Sequence, residues 1–183
     1  NDKRVGKFQM AGSAWIADYP DAQNFLQLLY GPNTGQSNEA RFRLVEARLQ
    51  DADLAPLLEG ARHVYHLAAQ AGVRASWGRE FALYTDHNVL ATQRLLEAAV
   101  TAGRPRVVYA SSSSVYGDAP ALPLREDGPC RPVSPYGVTK LAAEHLAVLY
   151  NANHGLPTVS LRFFTVYGPR QRPDMAFHRF LRG

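Results

Sequence analysis

The 183-residue chain has a single cysteine, Cys130, so no internal disulfide can form and no cysteine cluster is available to hold a metal. A reducing, cytoplasmic setting is the expectation that follows. No apolar run approaches the ~20 residues a membrane helix needs, and no signal-peptide pattern is present, so no membrane partner is expected. Lys and Arg number 20 against 16 Asp and Glu, for a net charge of +4 and a pI near 9.4. These cations are scattered, with no block of five or more, which argues against nucleic acid as a partner. There are no internal repeats and no low-complexity tract. An initiator Met is also missing: the chain begins "NDKRVGKF", as an internal fragment would.

What remains is ordinary for a globular protein, with 46% hydrophobic and 20% charged residues. From about Phe42 the pattern alternates between strand and helix. "FRLVEARL" reads as a strand and "DADLAPLLEG" as a short helix with an Asp cap and a closing Gly. "RHVYHLAA" is a buried strand, and "REFALYTDHNVLATQRLLEAAVTAG" keeps helical spacing until Gly103 stops it. "RVVYASS" is a further buried strand running into Ser111 to Ser114. A Pro-rich loop from Asp118 to Pro132 separates it from the helix "YGVTKLAAEHLAVLYNANHG" and the strand "PTVSLRFF". The sequence ends at Gly183 in what reads as the first turn of another helix. Strands separated by helices predict an α/β fold, a doubly wound parallel sheet in a three-layer sandwich. Ligands on such sheets sit at the carboxyl ends of the strands, here "HLAAQAG", "YASSSSVYG" and "RFFTVYGPR".

Those ends carry a constellation. Ser112 lies in a serine cluster at a strand end, Tyr136 and Lys140 follow 24 and 28 residues later, and "LRFFTVYGPRQRPD" closes the next strand. On a helix, positions i and i+4 share a face, so the Tyr136 hydroxyl and the Lys140 ammonium can approach. A tyrosine is a poor base near pH 7, and a nearby cation lowers its pKa by favouring the phenolate. A serine from the adjacent strand end can orient a substrate hydroxyl. Together they suit removal of a proton from an alcohol as hydride leaves its carbon for a nicotinamide. Alternatively, Tyr136 packs in the core and Lys140 snorkels to solvent.

Residues 43–183 resemble the extended short-chain dehydrogenase/reductase family, specifically its nucleotide-sugar epimerases and dehydratases. The resemblance rests on "HLAAQAGVR", "NVLATQRLLEAA", "SSSSVYG", "SPYGVTK" and "RFFTVYGPRQRPDMA". It implies that Tyr136 is the base, that Lys140 supports it and binds the nicotinamide ribose of NAD, and that Ser112 is the third catalytic member. It also implies that Leu67, Ala68, Ala69 and Gln70 line the NAD cleft, with Asn88 touching the cofactor and Phe164 near the nicotinamide. Ser113 and Ser114 stand where the dehydratases carry an acid pair, which disfavours water elimination. "RFFTVYGP…RPDMA" looks most like UDP-glucuronate 4-epimerases. By that likeness Ser113, Thr165 and Arg172 are candidate sugar contacts, with the Arg172 fork meeting the carboxylate; Arg172 as an exposed loop residue stays open. The reaction implied is epimerisation of a UDP-sugar at C4 through a 4-keto intermediate, in a homodimer. UDP-glucose epimerase and UDP-glucuronate decarboxylase are the alternatives within the family.

Two features depart from the family. A dinucleotide fold opens with a strand, a Gly-x-x-Gly-x-x-Gly turn and a helix holding the pyrophosphate, and this chain has no such turn. "ARLQD" puts Arg48 where an acidic residue usually stands, leaving Leu49 as an apolar neighbour for the adenine. Residues 1–42 instead resemble the C-terminal lobe of family 5 extracellular solute-binding proteins, the peptide-binding partners of ABC transporters. The expectation is a chimera, with an epimerase portion that lacks its first βαβ unit and its substrate domain and, by itself, binds NAD weakly or not at all. His63 and His66 lie three apart on a strand and face opposite sides. His87, His145, His154 and His178 show no ligand spacing, so no metal site is expected.

Overall fold

In the computed structural model, residues 45, 47–118, 122–168 and 175–182 are described. The expected solute-binding segment 1–42 and Arg172 lie outside them. Residues 48–165 form one compact unit, and the helix Ala176–Arg182 belongs to a second.

The first unit is built on three parallel strands in the order β1-β2-β3: β1 His63–His66, β2 Arg106–Ser112 and β3 Thr158–Phe163. His63 pairs with Arg106, and Val107 with Thr158, so all three strands end on the same edge. Crossovers made of helices join them, as parallel pairing requires. The short helix α1 spans Ala55–Leu58, with the Asp53 carboxylate accepting from Ala55 N and Gly60 turning left-handed after it. Between β1 and β2 runs a long helix in three parts: α2 Phe81–Tyr84, a π-helical stretch Thr85–Leu90, and α3 Ala91–Thr101. Between β2 and β3 lies α4, Pro135–His154. Ser134 caps it by accepting from Gly137 N, and Gly155 ends it at φ 63°. Ala176–Arg182 is α5, in the second unit.

The core sits on one face of the sheet. Leu95, Leu96 and Ala99 of α3, Tyr150 of α4 and Val107 of β2 pack with Leu54, Leu58 and Leu156. The opposite face carries Tyr65, Val159, Leu161 and Phe163, all partly open to solvent. The described residues of this unit therefore supply two of the three layers expected.

The strand expected over 42–49 does not form among its described residues: Ala47 and Arg48 are irregular, and Leu49 and Gln50 make a turn. A turn at this point and a pair with the long helix account for this. Arg48 O accepts from Asp51 N and Ala52 N, and the Arg48 guanidinium pairs with Asp86 at 2.7 Å. Leu49 packs against the core cluster.

Candidate functional site

The carboxyl edge of the sheet is where the chemistry-bearing side chains meet. β2 ends at Ser112, whose extended backbone and side chain cap the 3-10 turn Ser113–Val115 by accepting from Ser114 N at 3.2 Å. The first turn of α4 lies hard against this serine run. A Cβ on Gly137 would sit 2.6 Å from Ser114 O and 2.9 Å from Pro132 Cβ, so only glycine admits this approach. The backbone next to Tyr136 is thereby held against the serine run.

Lys140 sits one turn further along and does not snorkel. It is 4% exposed, donates from Nζ to Ala110 O at 2.7 Å, and lies 4.9 Å from the centroid of the Tyr109 ring. Burial lowers its pKa to about 8, against an opposing pull from Glu144. The Tyr109 hydroxyl is buried without a hydrogen-bond partner. Its pKa is driven up by burial, then by Tyr136 and Glu144. His66, beneath the same ring at 5.5 Å between centroids, is lowered to about 4 by burial and by Lys140. Thr92 donates its only hydroxyl proton to Asn88 O at 2.7 Å, so His66 Nε2 must be the donor in its 2.9 Å contact with Thr92.

Asn88 lies in the π-helical stretch and is almost wholly buried. Its Oδ1 accepts from Gln70 N at 2.7 Å, and Nδ2 donates to Gln70 O at 3.1 Å and Thr139 Oγ1 at 3.0 Å. Thr139 in turn donates to Tyr136 O. Both amide hydrogens of Asn88 are thus engaged within the chain, and the residue ties the segment after β1 to α4. π-turns of this kind are frequent at functional sites. Leu67 and Ala68 are exposed at the end of β1, with Ala69 and Gln70 half-buried behind them. Phe164 stacks on Tyr116 at 6.4 Å, and Thr165 is exposed beside it. Ser113 is half-buried. Leu49 is half-buried and packs against the core cluster.

Several contributors escape a sequence reading. Tyr84 meets the Tyr136 ring edge-on at 6.2 Å and donates to Ala71 O and Gly72 O. Glu144 takes a hydrogen bond from Ser111 and a forked pair from Arg162, which also reaches Glu126 O and lies over the Tyr116 ring. Tyr109, Thr139 and Gly137 complete the set. The Tyr-x-x-x-Lys-x-x-x-Glu spacing was the signal available for Glu144; the others look like core. Among the described residues, no three His, Cys, Asp or Glu side chains converge as metal ligands do.

The sequence model of a family described as "NAD dependent epimerase/dehydratase family" matches residues 18–182. That match begins well inside the segment expected to resemble a solute-binding protein, and lends that resemblance no support. The chain is 53% identical over 144 residues to an uncharacterized UDP-glucose epimerase, YtcB, of Bacillus subtilis (strain 168), covering 79% of this chain and 45% of that protein. It is 41% identical to UDP-glucuronate 4-epimerase 3 of Arabidopsis thaliana, covering 84% of this chain and 38% of the relative. The crystal structure of UDP-glucuronic acid 4-epimerase from Bacillus cereus, in complex with UDP-glucuronic acid and NAD, superposes with a TM-score of 0.72 at 49% identity. That match covers 76% of this chain and 44% of the other. The chain spans less than half the length of these relatives.

Proposed function

Because the chain belongs to the NAD-dependent epimerase/dehydratase family, we propose that it is the catalytic-helix portion of a UDP-sugar 4-epimerase acting on UDP-glucuronate. The observation that carries this reading is the buried Lys140 ammonium, bound to Ala110 O at the end of β2 on the same helix as Tyr136. A solvent-seeking lysine would not accept that desolvation. In the proposed reaction the Tyr136 oxygen takes the proton of the sugar 4-hydroxyl, and the Lys140 charge favours the phenolate that does so. Ser112, fixed by its own bond from Ser114 N, orients the same hydroxyl. The resulting 4-keto sugar must present its other face before the C4 hydride returns, and Tyr136 then gives back the proton.

NAD fits the nicotinamide end of this site. The exposed Leu67 and Phe164 flank the carboxyl edge, and Lys140 supplies an ammonium to hold a ribose hydroxyl. Bound there, NAD would supply the acceptor and donor of that hydride. Leu67, Ala68, Ala69, Gln70 and Phe164 are assigned to the cofactor, Ser113, Thr165 and Arg172 to the sugar. Asn88 is assigned to holding the cofactor segment in place. The likeness to the UDP-glucose epimerase of Bacillus subtilis favours UDP-glucose as the second reading. A homodimer is proposed through the long helix and α4, which expose Leu83, Leu90 and Leu149. A cytoplasmic setting goes with the free Cys130.

The test is to give the complete protein UDP-glucuronate and UDP-glucose and follow the products by proton NMR. UDP-galacturonate as the faster product is the expected result, and UDP-galactose would favour the second reading. Release of carbon dioxide with UDP-xylose would make it a decarboxylase, and no turnover of either sugar would overturn the epimerase assignment.

A further inference from the structure

Three groups from three elements crowd the Lys140 ammonium, and only one touches it face-on. His66 comes from β1, Tyr109 from β2 and Glu144 from α4 itself, with Tyr136 of α4 acting on Tyr109, while the long helix presents the uncharged Thr92 and Asn88. Arg162 of β3 is occupied by Glu144. Tyr109 is 2% exposed, with its ring against both His66 and Lys140 and its hydroxyl buried without a partner. A buried unpartnered hydroxyl opposes folding, so the usefulness of this residue has to be sought in the ring. The ring face is the electron-rich surface on which an ammonium is held, most strongly where water is excluded.

We propose that Tyr109 is a positioning residue for Lys140, its aromatic face keeping the ammonium charged and aimed at Ala110 O beneath the catalytic tyrosine. Ala110 O accepts only one of the three ammonium hydrogens, and the ring supplies attraction from a second side. A nonpolar aliphatic side chain here leaves the same desolvation without that attraction, so the neutral amine gains. The hydroxyl plays no part in this role. The proposal deepens the epimerase reading and rests on it for the meaning of Lys140. The test reads the titration of Lys140 itself, so a failure of the proposal and a failure to turn over a sugar are separate results.

The chain contains only three lysines, Lys3, Lys7 and Lys140, so its 13Cε-lysine NMR spectrum is simple and Lys140→Arg assigns the signal. In the full 183-residue chain the Lys140 signal should titrate near pH 8. Tyr109→Phe should leave that midpoint within about 0.3 units and should melt no lower than the parent, since it deletes only the unpartnered hydroxyl. Tyr109→Met, with Tyr109→Leu as a second aliphatic variant should the first not fold, should lower the midpoint by about one unit. Aliphatic variants that titrate with the parent would overturn the proposal. So would a Tyr109→Phe shift as large as theirs, which would move the effect to the hydroxyl.

Discussion

Lys140→Met removes a cation that the fold holds away from water, and the consequence for stability depends on pH in a way only a buried lysine produces. The folded pKa of about 8 lies 2.5 units below the ordinary 10.5, equivalent to about 3 kcal/mol at 1.36 kcal/mol per unit. At pH 7 both folded and unfolded chains carry the proton, and folding meets the whole of that penalty. Between pH 8 and 10.5 the folded chain has shed the proton while the unfolded chain still binds it, so stability rises with pH. Above 10.5 the penalty is gone. Methionine avoids it at every pH but leaves Ala110 O without its donor, a loss of about 1–3 kcal/mol. The variant should therefore be as stable as the parent or more so at pH 7, and the less stable of the two near pH 10.5. Urea unfolding of both chains at pH 7, 8, 9 and 10 measures the difference. A gap that stays constant across that range would refute a desolvated Lys140, and with it the observation on which the site reading rests.

Other perturbations test the surroundings. Arg162→Met leaves Glu144 buried without its forked partner and should cost about 3–5 kcal/mol in urea unfolding. The double variant Glu144→Met/Arg162→Met should recover most of it. Gly137→Ala improves helix propensity by ~1 kcal/mol, yet its Cβ would meet Ser114 O at 2.6 Å, so a net loss of about 1–3 kcal/mol is expected from thermal melting. His66 resists protonation: as pH falls from 6.5 toward about 4, the unfolded chain takes up a proton that the folded chain refuses. Stability should fall through that window by about 3 kcal/mol, and His66→Gln, which keeps a donor toward Thr92, should flatten the decline. An unchanged acid limb would show that another group controls it.

Of the elements that hydrophobic periodicity sets, β3 was legible to within one residue, while β1 stops at His66, three residues short of the expected "RHVYHLAA". β2 matches "RVVYASS" residue for residue, and α4 starts at Pro135 and closes at the left-handed Gly155 as its sequence implied. Ser112, Tyr136 and Lys140 stood out as candidates from a strand end and one helix turn, and the family resemblance supplied the roles proposed for them. What stayed hidden depends on partners far along the chain. Asn88 bonds Gln70 and Thr139, 18 and 51 residues away, and the π-helical stretch that aims it leaves the apolar spacing of the long helix nearly unchanged. Tyr84 and Tyr109 read as core aromatics, since nothing in their neighbours records a carbonyl or an ammonium against the ring. The strand expected over 42–49 failed in part for the same reason: a suitable local pattern gave way to a turn and to the pair Arg48 makes with Asp86, 38 residues away.

The claim at the centre of this account is that Tyr136 exchanges the proton of a sugar hydroxyl with Lys140 behind it. The measurement that meets it most directly uses the complete protein carrying Tyr136→Phe, with UDP-glucuronate binding and C4 epimerisation followed side by side. The account predicts that binding survives within a few-fold while epimerisation falls by at least about 10²-fold, the scale of a lost acid–base group. Epimerisation near the parent rate would contradict it, and loss of binding together with activity would make Tyr136 a structural residue.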